Sequence, residues 1–223
     1  MLSSRDIYAQ INKLTTELIE NGLCDSQNFP SMNRGAGGIE EVGITMADNA
    51  VFLKSVTYSE MYYELVRRKI YNMRLLDGAL LYMLYRFKNG KLLAHRLSYF
   101  PAPNLEQFQN APELYLEDEL YGDVIDKRIM TVPIRFDFDK TEGTYKPIEH
   151  PISHLTLGQY ENCRIPVSAA VTPYQFVTFI IRNFYHTAQL KYGENLTVFK
   201  EKFSDSILPE ELEVMHICTP DYK

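Results

Sequence analysis

Apolar residues recur at helical spacing in "SSRDIYAQINKLTTELIENG", where Ile7, Ile11, Leu14 and Leu18 fall three or four positions apart, behind capping serines and ahead of Gly22. The spacing predicts an amphipathic helix over 4–21. A second stripe of Tyr62, Leu65, Val66, Ile70 and Met73 follows Thr57 and Glu60, which stand in capping-box spacing, and predicts a helix over 57–74 with Arg67 and Arg68 off its apolar face. Between 79 and 100 the pattern changes. "ALLYMLYRF" and "LLAHRLSYF" flank Asn89-Gly90, the dipeptide favoured by a two-residue type I′ turn. Counting outward from that turn sets Phe87 against Leu92, Leu84 against His95 and Met83 against Arg96. Both faces of the hairpin are largely apolar, as in central strands covered on both sides, and His95 reads as a core histidine.

"IMTVPIRFDFD" predicts a strand near 130–139 with strict alternation at its end: Ile134, Phe136 and Phe138 point one way, Arg135, Asp137 and Asp139 the other. Over 152–167, Leu155 and Leu157 oppose His154 and Thr156, and Cys163, Ile165 and Val167 oppose Arg164. If these strands are neighbours, their polar sides form one face. Thr172, Pro173 and Gln175 open a helix over 173–190 in which Phe176, Phe179, Ile180, Ile181 and Phe184 cover most of the circumference. A narrow polar stripe of Gln175, Thr178, Arg182, His186 and Gln189 remains, so this helix packs into the body. "NFPSMNRGAGGIEEVG" reads as a surface loop, since the Lys-Ser or Lys-Thr pair of a phosphate-cradling loop is missing after its last glycine. "PAPNLEQFQNAPELYLEDELYGDVID" is acidic and punctuated by proline, suited to short surface helices.

Together these elements predict one α+β domain, with a twisted, mainly antiparallel sheet of about five to seven strands and the three helices packed on it. The 223 residues fit a single such domain, and a composition 45% apolar and 23% charged can supply its core. The opening residues lack the apolar core of a signal peptide and no 18-residue apolar run occurs, which reads as a cytoplasmic protein with no membrane segment. Cys24, Cys163 and Cys218 are odd in number and never form a CxxC pair, which speaks against a disulfide framework or a thiolate metal site.

A net charge of −6 argues against a protein that coats nucleic acid without specificity. The charge is unevenly spread, however. Between 64 and 100, eight cations face only Glu64 and Asp77, so the region of Arg67, Arg68, Lys69 and Arg74 is the candidate contact for a nucleic acid or nucleotide.

The polar face of the alternating strands is the candidate site. Read as a metal site, it offers Asp137, Asp139, His150 and His154 to a divalent ion such as Mg²⁺, Mn²⁺ or Zn²⁺. In one extended strand, His150 and His154 would stand about 13 Å apart at ~3.3 Å per residue, so Pro151 would have to mark a bend. Read as a metal-free catalytic site, it uses His154 as general acid or base near Asp137, with Arg135, Arg164 or Arg182 holding an anionic group such as phosphate. Read structurally, the same residues are a lattice of Arg–carboxylate pairs between sheet and helix.

"DGALLYMLYRF", "HRLSYFPAP", "PIRFDFD", "HPISHLTLGQYENCRIPV" and "TPYQFVTFIIRNFY" resemble, in order and spacing, a bacterial family known as domain of unknown function 2290. The resemblance is specific over about residues 77–186 and implies a small cytoplasmic bacterial protein. It supplies no reaction, ligand or catalytic residue. The Arg-x-Asp strand before a histidine-bearing strand is also similar to small toxins of bacterial toxin–antitoxin pairs, which are much shorter. Two functions stay open: an enzyme-like or toxin-like protein acting on a phosphate-bearing substrate, and a non-catalytic module that recognises a partner protein.

Overall fold

In the computed structural model, residues 2–45, 56–103, 132–160 and 162–221 are described. Most of the acidic, proline-punctuated stretch expected to form surface helices lies outside them. Helix α1 (Ser4–Glu20) opens on a capping box between Ser3 and Asp6 and buries Ile7, Ile11, Leu14 and Leu18 completely. Strands β1 (Cys24–Gln27), β2 (Ser31–Arg34) and β3 (Ile39–Gly43) follow, then helix α2 (Tyr58–Arg67) and β4 (Met73–Leu75). The long hairpin is β5 (Leu80–Lys88) and β6 (Lys91–Phe100). After it come β7 (Ile134–Asp139), β8 (Ser153–Leu157), β9 (Ile165–Pro166), α3 (Pro173–Phe184), α4 (His186–Tyr192) and α5 (Pro209–Leu212). No helix among the described residues is long and apolar enough to cross a membrane.

The strands form one antiparallel sheet in the order β1-β4-β5-β6-β7-β8-β9, with the β2–β3 hairpin also joined to β5. The fold is α+β, as the patterning predicts, but the nine strands among the described residues exceed the expected five to seven. The glycine-containing stretch read as a loop is in fact that β2–β3 hairpin, with Arg34 opposite Glu40. Its last glycine could not be another residue: Gly43 has φ +129, and a Cβ there would lie 2.1 Å from the Met83 carbonyl oxygen.

Helix α2 is the second correction. Its capping box at Thr57 and Glu60 is present, but the helix ends at Arg67 rather than 74. Lys69 takes φ +55, which turns the chain, and Met73 becomes a strand residue paired with Leu81. The apolar stripe divides: Tyr62 and Leu65 form a cluster under α2 with Val66 and Ile70 packed against it, whereas Met73 enters the main core.

Both faces of β5 are covered, as its apolar run predicts. Leu80 and Leu81 are adjacent and fully buried, yet they enter different clusters, Leu80 under α2 and Leu81 in the main core with α1 and α3. Phe136 packs edge-on against Phe176 and Phe179, which fixes α3 on the Phe136 side of the sheet.

The helix expected over 173–190 breaks at Tyr185, whose φ −135 and ψ 59 are not helical. The break carries the buried Tyr185 hydroxyl to Asp77, where it donates to Oδ2 at 2.7 Å, with the Tyr99 hydroxyl 3.2 Å away. Asp77 also accepts from the Ala79 amide at 3.0 Å, and burial raises its pKa. This ties the turn between β4 and β5 to the end of α3. We expect Tyr185→Phe to keep the ring packing, leave the Asp77 carboxyl short of one donor, and cost about 1–3 kcal/mol in chemical denaturation.

Candidate functional site

A β-bulge places the site. Phe87 pairs with Leu92 as counted from the turn, but Arg86 pairs with Ala94, leaving Leu93 as the extra residue. Beyond it His95 lies opposite Tyr85 rather than Leu84, and Arg96 opposite Leu84 rather than Met83. A one-residue shift exchanges the two faces of a strand. The expected register would have pressed Arg96 into the core; the bulge turns it outward and His95 inward.

His95 is the core histidine that its neighbours predict. Its ring lies between Tyr85 and Phe138, and Nε2 accepts from the Val171 amide at 2.9 Å, while Nδ1 is buried with no hydrogen-bond partner among the described residues. Burial pushes its pKa down to about 3, so the ring is neutral.

On the outward face, opposite α3, where Tyr82, Ser98, His154 and Thr156 are nonetheless buried, two cross-strand rows run side by side. The first is Leu84, Arg96, Asp137, His154 and Pro166; the second is Tyr82, Ser98, Arg135 and Thr156. The merged polar face predicted for the alternating strands therefore exists. Asp137 is its centre. Its Oδ1 accepts from Arg96 Nε at 3.0 Å, and its Oδ2 lies 2.5 Å from Arg135 Nε, an ion-pair contact whose angle falls outside hydrogen-bond geometry. The carboxylate side chain is 13% exposed, whereas Arg96 and Arg135 are 47% and 43% exposed. Burial would raise the Asp137 pKa; the two arginines outweigh it and hold the group below its ordinary value.

His154 is buried, with Nε2 3.9 Å from Asp137 Oδ2. Its Nδ1 is 2.9 Å from the Pro151 carbonyl oxygen, which can only accept, so Nδ1 carries the hydrogen and Nε2 the lone pair. Burial lowers its pKa, an effect only partly offset by the Pro151 carbonyl and Asp137, and the imidazole is neutral at pH 7.

The remaining predicted residues separate. His150 does come near, its ring centroid 5.0 Å from that of His154, because the chain turns before Pro151; its Nδ1 is engaged by the Thr144 carbonyl. Asp139 accepts from the Thr141 amide at 2.8 Å and serves a turn. No group of three His, Cys, Asp or Glu among the described residues is arranged to hold a metal ion. Arg164 sits just before β9, half-buried, one step beyond the Leu155–Ile165 pair. Arg182 is a correction: α3 lies on the Phe136 side, so Arg182 is across the sheet from Asp137 and His154.

In the basic stretch the guanidinium groups have carboxylate partners. Arg67 and Arg68 share Glu64, whose pKa falls to about 2 mainly through the Arg67 hydrogen bond, and Arg74 makes a two-pronged pair with Asp25 at 2.9 and 2.8 Å. Arg96 is the residue that uniform counting missed. The signal available was the implausible pairing of a charged Arg96 with Met83 in a core, which a bulge resolves.

The family model for an uncharacterized conserved protein, DUF2290, matches residues 23–219. The chain belongs to the DUF2290 family. The match extends beyond the 77–186 segment that carries the resemblance in sequence, and takes in every strand of the sheet. No curated protein and no solved structure matches the chain.

The buried histidines contribute to the acid limb of stability, beside the depressed Asp137 carboxyl. For His95, the folded pKa near 3 lies below the unfolded value near 6.5, so its contribution is complete above pH 6.5 and is lost as pH falls toward 3. His154 shifts in the same direction. We expect urea denaturation to give a fold about 2 kcal/mol less stable at pH 5 than at pH 7 on account of His95, and His95→Gln to remove that share of the slope.

Proposed function

We propose that the outward face of β6, β7 and β8 binds a phosphate-bearing ligand, a nucleotide or nucleic acid, through Arg96 and Arg135. One observation carries this reading: a single, mostly buried carboxylate faces both guanidinium groups through their Nε atoms, while both side chains stay nearly half exposed. Their terminal nitrogens have no protein partner among the described residues, so the planar forks are oriented and still available. An arginine fixed in this way loses less freedom when it grips an oxyanion. Asp139 on the same face also acts on Arg96, so the attraction for an anion comes from the two oriented guanidinium forks rather than from an excess of positive charge. His154 presents a neutral Nε2 lone pair beside it, suited to accept a hydrogen bond or a proton from the ligand.

The other reading, a protein-interaction module whose ion pairs are purely structural, is favoured by the burial of Asp137. Titration calorimetry at low salt separates the two. Inorganic phosphate, a 5′-nucleotide and a short single-stranded oligonucleotide are each tested against the unmodified protein, Arg96→Gln and Arg135→Gln. We expect binding that either substitution weakens tenfold or more and that declines with added salt. Absence of binding by all three probes to the unmodified protein would leave the structural reading in place.

A further inference from the structure

The second outward row holds an unusual concentration of unsatisfied polar atoms. Ser98 Oγ and Thr156 Oγ1 are buried and have no hydrogen-bond partner among the described residues, and between them stands Arg135, whose Nε is held in ion-pair contact by Asp137. They are not scattered: Ser98 pairs across strands with Arg135, and Arg135 with Thr156, so the three belong to adjacent strands and one face. Ser98 is 1% exposed and Thr156 6%. Most buried polar groups in folded proteins are paired, and two orphaned hydroxyls in register on either side of an arginine require a common explanation.

The chemistry of the three side chains narrows it. The terminal N–H groups of Arg135 can only donate, and each hydroxyl can donate, so one acceptor group serves all of them. Ser98 and Thr156 stand two strand spacings apart, about 9.6 Å, before their side chains lean together. One water spans only about 5.6 Å between two hydrogen-bonded oxygens, so it bridges them only if both side chains lean well inward. A group with several acceptor oxygens reaches further, and a tetrahedral oxyanion presents them in different directions.

The geometry points to the Ser98–Arg135–Thr156 row as the subsite for the phosphoryl group itself, with the two hydroxyls and the Arg135 guanidinium donating to its oxygens. The assignment rests on the anion-binding reading above and deepens it, because it separates the arginines, which attract any anion, from the hydroxyls, which select a tetrahedral one. It also gives the orphaned hydroxyls a role that adds nothing to the ligand-free fold.

That last property makes the test specific. In the double variant Ser98→Ala with Thr156→Val, two unsatisfied groups are removed with little change of volume, so the ligand-free Tm should stay the same or rise. Titration with inorganic phosphate should show affinity at least tenfold weaker, while acetate, a planar carboxylate, should bind the variant as it binds the unmodified protein. Thr156→Ser, which keeps the hydroxyl, should retain more phosphate affinity than Thr156→Val, and this pair of single variants decides the matter if the double variant does not fold. Unchanged phosphate affinity in the hydroxyl variants, alongside its loss in Arg135→Gln, would overturn the subsite and leave the arginine reading standing. A fall in ligand-free Tm would also overturn it, by showing that the hydroxyls serve structural water. If phosphate fails to bind the unmodified protein, both assignments fall together.

Discussion

A carboxylate set into the middle of a β-sheet face, nearly shut off from water, stays ionised only if cations are brought to it. Asp137 meets that condition by register: Arg96 is its cross-strand partner on β6, and Arg135 lies two residues before it on the same strand. The arginines gain orientation from the arrangement and the carboxylate gains its charge. Without both cations, burial would push Asp137 toward its neutral form, the guanidinium groups would lose their common anchor, and the face would carry no ordered positive site.

That arrangement depends in turn on a defect in an otherwise regular hairpin. The Leu93 bulge lies three residues before Arg96 and sets which way every later residue of β6 points. His95 and Arg96 are neighbours with opposite fates, one neutral among aromatic rings, the other charged and half exposed, because successive residues of a strand face opposite sides. The main core of α1, α3 and the inner sheet face supplies the rigidity against which this difference is maintained. Ser98 and Thr156 inherit their common row from the same register.

Much of this was legible in the residues. The capping boxes at Ser3, Thr57 and Thr172 mark three helix starts, and the alternation Ile134-Arg135-Phe136-Asp137-Phe138-Asp139 gives the strand and both of its faces. Local chemistry was less informative about where elements stop. Tyr185 leaves the helix to reach Asp77, more than a hundred positions earlier, and α2 ends at Arg67 because Met73 finds a strand partner in Leu81. Periodicity records which face is apolar, not which element supplies the neighbour. The site was legible to the extent of Arg135, Asp137 and His154. Arg182 shares their charge pattern but is separated from them by the thickness of the sheet, and Arg96 depended on a bulge that no turn rule announces.

The central claim is electrostatic, and it can be read at one atom. Carbon-detected NMR of the Asp137 carboxyl through an acid titration reports its ionisation directly. A midpoint below the ordinary aspartate value of about 3.9, moving upward in Arg96→Gln, is the expected result. A midpoint at or above that value, indifferent to the loss of Arg96, would contradict the account.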